Sequence, residues 1–256
     1  MGIGAMLSNQ QAKQLVRRTI GEPYVGKRLK QIRIGKVLDG LGLRPDRILD
    51  AGSGDAAFVY WLADRYPGAS VTAVDIDEDA IAECLRARPR PYASRVTFET
   101  ATFEQLPREA FDLITAFDVF EHIEEDRAAV RSLARALRPG ATLLAHVPRD
   151  RWRTWNGEVK EVSEQEARRV NPGHVRHGYS PEGLRGLLES AGLVVNDLQT
   201  WVGRWGVLAH AVYERLEHPA VLRILSLPVT VAAAHVESRS QTPSGNTVFA
   251  RATKPG

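Results

Sequence analysis

The apolar positions of this 256-residue chain change their period along its length, and each change marks an element. Val25, Leu29 and Ile32 form one stripe at helical spacing; Ile34, Val37, Leu38 and Leu41 form another on the opposite side of the same wheel. A helix over Tyr24–Leu41 is therefore either buried on both sides in turn or broken near Gly35. A shorter helix, Asn9–Thr19, precedes it across Gly21-Glu22-Pro23. Short apolar or alternating runs at Arg47–Asp50, Val71–Asp75, Val96–Thr100, Thr142–Val147, Val194–Thr200 and Thr247–Ala252 read as strands. Helical stripes lie between them. Phe58, Leu62 and Tyr66 make the first, and Asp79–Arg88 the second. Val130, Leu133, Ala134 and Leu137 follow an Asp126 cap; Leu184, Leu187, Leu188 and Ala191 follow a Ser180 cap with Pro181 at the first helical position.

Two stretches depart from this rhythm. Asp150–Gly173 is polar and irregular. Trp201–Ser240 is strongly apolar and reads as helices Trp205–Leu216 and Ala220–Val236, with a break at Pro228. Arg223 and His235 interrupt it, so no membrane span is expected. It is a helical arm on the core, a subunit interface, or the wall of an apolar substrate pocket; with the leading helices, it is expected to form the acceptor pocket.

The first strand ends in Asp50-Ala51-Gly52-Ser53-Gly54, and a helix follows. Strand, glycine turn, helix, strand is the half-unit of a doubly wound α/β sheet. Gly52-x-Gly54-x-x-Ala57 fits a loose nucleotide-loop pattern, and Asp75 stands at the end of the second strand, where a ribose hydroxyl would be held. Asp50 and Asp55 flank the turn and would oppose an anionic pyrophosphate at the helix N-terminus. A nucleoside carrying an ammonium and a sulfonium, S-adenosyl-L-methionine, suits them.

At this point the sequence resembles the class I S-adenosylmethionine-dependent methyltransferases, whose first motif is matched by Leu49-Asp50-Ala51-Gly52-Ser53-Gly54. Phe111–Ile123 resembles that family's fourth strand and the acidic turn after it, and Leu137-Arg138-Pro139-Gly140 its helix-ending stretch, with Ala141 replacing a second glycine. The resemblance implies a doubly wound, Rossmann-like α/β fold with a seven-stranded mixed sheet. It divides the chain into an N-terminal helical cap (1–46), a cofactor-binding core (47–200), a helical insertion before the last strand (201–240) and the last strand with its tail (241–256). It implies a cofactor held by Asp50, Ala51, Gly52, Ser53, Gly54 and Asp75, with Ile76 packed on the adenine. Thr102 stands where relatives carry an aspartate for the adenine amino group; its oxygen, or the Phe103 backbone, would serve instead. Phe117, Asp118 and His122 would lie near the reacting methyl group.

A hydroxyl acceptor needs its proton removed, for which a histidine suits. His122 is the first candidate, and His174 and His177 are expected on the same rim; the competing role for His122 is a helix cap. Asp118-x-x-Glu121-His122 also resembles a magnesium-binding spacing of ubiquinone-pathway O-methyltransferases, but the same sequence is widespread in metal-free relatives, and no metal is expected. The turn lacks the Pro-Pro-Tyr of enzymes that methylate amino groups of nucleic acids and glutamine. This favours a small-molecule acceptor with an apolar portion, such as a secondary metabolite, quinone, lipid or glycan precursor.

Basic and acidic residues number 34 and 31, nearly balanced, and nucleic acid is not implied. The single cysteine, Cys84, cannot form an internal disulfide, and no signal pattern opens the chain, so a cytoplasmic setting is expected. A homodimer through the apolar insertion is compatible with this pattern. Two alternatives from other classes remain. An NAD- or nucleotide-sugar-dependent oxidoreductase would bring a Tyr-x-x-x-Lys pair, which is not found; a non-catalytic S-adenosylmethionine-binding protein would differ only in lacking turnover.

Overall fold

A computed structural model describes residues 9–154, 156, 158–161, 165, 173–203, 205–209, 228, 231–232, 234–239 and 244–256. The strand-like runs become β1 (Arg47–Ala51), β2 (Ser70–Asp75), β3 (Val96–Thr100), β4 (Phe111–Phe117), β5 (Leu137–Pro148), β8 (Val194–Trp201) and β9 (Thr247–Thr253). They form one sheet in the order β3-β2-β1-β4-β5-β9-β8. The pairs β1–β2, β1–β4, β2–β3 and β4–β5 are parallel, whereas β9 runs antiparallel between β5 and β8. Chain order reverses between β1 and β4, which opens a crevice at their carboxyl ends. The expected seven-stranded mixed sheet is borne out.

Both sheet faces are covered. α3 (Ala57–Arg65), α4 (Glu78–Ala87) and α2 (Val25–Leu41) lie on one side, where Leu62, Ile48, Val71 and Ile34 are fully buried. α5 (Asp126–Ala136) and α6 (Pro181–Glu189) lie on the other, with Leu133, Leu184, Ile114 and Val130. Strands packed on both faces are near-continuously apolar, and β1 and β4 fit this.

α2 is continuous through Gly35 and is buried on two sides in turn. Ile34 and Leu38 pack into the sheet-side core, while Val25 packs with Tyr24 against Ala209. Its cations are not the solvated set that their spacing suggests. Lys27 pairs with Asp55, Lys30 with Asp118, and Arg33 with Glu237. α1 (Asn9–Ile20) is fastened by Arg17, whose guanidinium binds both Glu22 and Asp55 at 2.7 Å.

Two local expectations change. Asp126 does not cap α5, whose N-cap is Glu125, without a side-chain cap bond. The irregular stretch contains a small antiparallel ribbon, β6 (Arg151–Arg153) with β7 (Val159–Glu161), too short for a periodic signal. In the apolar insertion, residues 205–209 and 234–237 are helical, as expected; residues 210–227 lie outside the described residues. Among the described residues no helix is long and apolar enough to cross a membrane.

Candidate active site

The turn after β1 is built by backbone. Gly52 and Ser53 donate their N–H groups to the Val74 carbonyl at 2.8 and 3.0 Å, joining the turn to β2. Gly52 sits at φ +74°, and a Cβ there would lie 2.5 Å from Val119 Cγ2, so only glycine fits. Gly54, at φ +47°, faces open space and donates to Asp75 Oδ2 at 2.8 Å. Beyond it opens a cavity of about 650 Å³, with Gly52, Gly54, Asp75, Ile76, Thr102 and Phe103 on its walls. Asp118, Val119 and His122 line it too. Ile76 is 75% exposed, an unusual state for an isoleucine at a strand end. The Ser53 hydroxyl is buried without a hydrogen-bond partner among the described residues.

Asp50, Ala51 and Phe117 are buried and do not line this cavity. Ala51 is fully buried, and the Phe117 ring packs edge-on against Phe58 with centroids 4.8 Å apart. Asp50 is 4% exposed and accepts the Thr115 hydroxyl at 2.6 Å. Burial pushes its carboxyl up to about 7, against that hydrogen bond. At Asp55, Lys27 and Arg17 overcome burial and hold the carboxyl down at about 2, so its charge is already met. Asp50 thus lies inside, and Asp55 anchors the N-terminal helices.

Asp118 follows β4 at φ +56°, a left-handed conformation that aspartate tolerates better than most residues. Its carboxylate meets the Lys30 ammonium from α2 and lies 2.6 Å from His146 Nδ1 on β5. Lys30 and His146 outweigh burial and hold it far below the ordinary carboxylate range. A single 3₁₀ turn, Phe120–His122, comes next. The Glu121 side chain is 1% exposed; burial, then the Asp118 charge, raises its carboxyl well above the ordinary value.

His122 and His174 come together as expected, with ring centroids 4.7 Å apart and planes near perpendicular. His122 Nδ1 lies 2.8 Å from the Gly173 carbonyl, an arrangement in which Nδ1–H donates and Nε2 is left as acceptor. Burial, and then His122, lowers the His174 pKa. Arg176 holds this loop by donating to the Phe120 and Ile123 carbonyls at 2.8 and 2.7 Å, and Tyr179 donates to Asp126 at 2.8 Å. His177 does not share the pairing of His122 with His174. Ligand-type atoms of Glu121, His122 and His174 lie within 4.8 Å of one another. Asp118, the first acid of the magnesium-like spacing, is turned instead to Lys30 and His146.

A second cavity, of about 340 Å³, lies on the far side of Asp118 and His122, which line both. Tyr24, Val25, Leu29, Trp152 and Val207 give it apolar walls, and His146, Glu121 and His174 supply polar ones.

Residues 27–198 match the family model described as a methyltransferase domain, two thirds of the chain. The chain belongs to the methyltransferase domain family. Among curated methyltransferases it is 26% identical over 121 residues to the ubiquinone biosynthesis O-methyltransferase of Idiomarina loihiensis, covering 46% of this chain and 49% of that one. The chain thus spans about half the length of the curated relatives it matches. Among solved structures, phosphoethanolamine N-methyltransferase 2 of Haemonchus contortus superposes with a TM-score of 0.65 at 16% identity, covering 98% of this chain and 61% of that one. The N-methyltransferase NodS of Bradyrhizobium japonicum, solved with S-adenosylhomocysteine, gives 0.56 at 20% identity, covering 93% and 91%. At these identities the two structures show the shared fold.

Within this methyltransferase domain the sequence reading missed Lys30, His146, Arg176 and Tyr179. Lys30 carried no signal apart from its helix's other cations. His146 stands among apolar residues of a core strand, where a lone polar position is the available clue.

Proposed function

We propose that this chain moves a methyl group from S-adenosylmethionine to a hydroxyl of a small molecule with an apolar portion. One observation carries the reading: two cavities of different chemistry share a wall at Asp118 and His122. The larger suits a nucleoside. Asp75 would accept from the ribose hydroxyls, Ile76 would lose its exposed surface against a purine, and Thr102 and Phe103 would border that ring. The unpartnered Ser53 hydroxyl and the open space over Gly54 leave room for the rest of the cofactor. Asp50, Ala51 and Phe117 act from behind, by holding the turn and the wall in place.

Bound S-adenosylmethionine supplies a methyl carbon on a sulfonium, open to in-line displacement. The chain's main task is then to hold the acceptor at near-attack distance. Tyr24, Leu29 and Trp152 would bind its apolar portion, the N-terminal helices serving as the cap of the site. His122, with His174 against it, would take the hydroxyl proton at Nε2. The single buried Cys84 fits a reducing, cytoplasmic setting.

Calorimetry with S-adenosylmethionine, S-adenosylhomocysteine and NAD tests the cofactor, and S-adenosylhomocysteine release with a panel of phenols and alcohols tests turnover. Binding of the first two and not of NAD is expected. Tight NAD binding would return the oxidoreductase reading, and cofactor binding without turnover on any acceptor the non-catalytic one.

A further inference from the structure

Three polar side-chain atoms in the walls of the second cavity are buried and have no partner among the described residues: His146 Nε2, Glu121 Oε2 and Thr247 Oγ1. Native interiors seldom leave such atoms bare, and each asks for an explanation. For His146 the surroundings settle the protonation. Asp118 meets Lys30 on one oxygen and His146 Nδ1 on the other. As an anion it only accepts, so Nδ1 carries the proton and donates. Nε2 is then a bare lone pair in a residue 2% exposed. Burial disfavours the charged imidazole and so keeps it neutral, against the pull of Asp118.

Among the described residues no donor reaches Nε2, although the Thr247 hydroxyl stands unpartnered in the same wall. Lys30 is committed to Asp118. The Trp201 ring lies 5.7 Å from the His146 ring, but its indole N–H goes to Gln199 Oε1 at 2.9 Å. A hydrogen for Nε2 can then come from what occupies the cavity. Of the two cavities His146 lines this one and His122 lines both, so the two imidazoles meet different parts of an occupant.

We propose that the acceptor carries, beside the group that is methylated, a second hydrogen-bond donor, a hydroxyl or an amine N–H, which His146 Nε2 accepts. Asp118 and Lys30 are then positioning residues that fix the His146 tautomer. Such a site rejects an analogue lacking the donor, because the buried lone pair stays unpaired. The proposal rests on the methyltransferase reading and adds the donor pattern of the substrate.

The test uses benzene-1,3-diol, 3-aminophenol and the donor-blocked control 3-methoxyphenol, one carbon larger, with S-adenosylhomocysteine present and affinity read by ligand-observed NMR. In the wild type, the diol or the aminophenol should bind about three- to tenfold tighter than the ether. His146→Phe should erase that preference. His146→Gln, whose amide oxygen can approach the Nε2 position, should restore part of it. Should these variants not fold, ¹⁵N-histidine spectra of the wild type give the same answer: the diol, and not the ether, should shift the His146 Nε2 resonance. A wild type that does not prefer either donor over the ether overturns the proposal, as does a preference that survives His146→Phe or an unmoved Nε2 signal. Failure to bind S-adenosylmethionine, measured on the same samples, would strike the methyltransferase reading instead.

Discussion

Lys30, in the second turn of α2, grips Asp118 at the end of β4 across 88 residues of sequence. The N-terminal helix thereby becomes part of the wall between the two cavities. The same carboxylate also holds His146, so one left-handed aspartate organises three elements.

Breaking that pair should cost stability. The Asp118 side chain is 40% exposed, so solvent screens the contact and the loss falls below that of a fully buried pair. Lys30→Met should lower unfolding free energy by about 1–2 kcal/mol, and Lys30→Met with Asp118→Asn should cost less than the two single changes summed. Urea unfolding of the four proteins measures this, and strict additivity would show that the pair contributes nothing.

Gly52 and Gly54 should respond differently to a side chain. At Gly52 the new Cβ meets Val119, so Gly52→Val should both destabilise the fold and remove S-adenosylmethionine binding. At Gly54 nothing lies within 4 Å of a Cβ, and φ +47° adds only local strain. Gly54→Val should stay folded by circular dichroism yet bind S-adenosylmethionine weakly, because its side chain enters the cavity. Normal calorimetric affinity for Gly54→Val would remove this cavity from consideration.

Asp75→Ala should weaken S-adenosylmethionine by about 1–3 kcal/mol, the loss of charge-assisted bonds to the ribose. Its contact with Gly54 N–H also holds the turn, so Asp75→Asn, which keeps an acceptor, should lose less. Equal affinity across wild type and both variants would exclude a ribose contact here.

His122→Ala should lower turnover about 10²-fold or more with cofactor affinity near normal. EDTA should leave wild-type turnover unchanged. Loss of turnover on chelation, restored by a divalent ion, would instead assign Glu121, His122 and His174 to a metal. Activity that survives His122→Ala and vanishes in His174→Ala would move the proton acceptor across the pair.

Asp50 should impose a pH dependence on stability. Its folded carboxyl titrates near 7, above the unfolded value, so the native state holds the extra proton between about pH 4 and 7. Stability from this group therefore falls as pH rises through that window and levels above it, by roughly 4 kcal/mol at most. Asp50→Asn, which can still accept from Thr115, should flatten this slope. Thermal unfolding of both proteins from pH 4.5 to 8 decides it, and parallel curves would mean that Asp50 ionises normally.

Much of the fold was legible because its signals are local. Gly52 at positive φ, the apolar runs of β1 and β4, and the Ser180-Pro181 helix start each depend on neighbours a few residues away. The three-residue strands β6 and β7 were missed because nothing so short repeats. Asp126 was misjudged for a different reason. An acid at a helix start reads as a cap, but its carboxylate is taken by Tyr179 and Arg176 from a distant loop.

The sequence alone determined the α/β class and the glycine turn with Asp75 behind it, since periodicity, backbone freedom and chain order are written in adjacent residues; the fourth strand and His122 after it were implied by the family resemblance. Only the tertiary structure decided which charges meet. Lys27, Lys30 and Arg33 look alike along one helix, yet one reaches Asp55, one Asp118 and one Glu237. Asp50 and Asp55 look alike around one turn, yet burial raises the first and cations hold down the second. The energy of a charge depends on burial and on partners far away in the chain, and neither is a property of its neighbours in sequence.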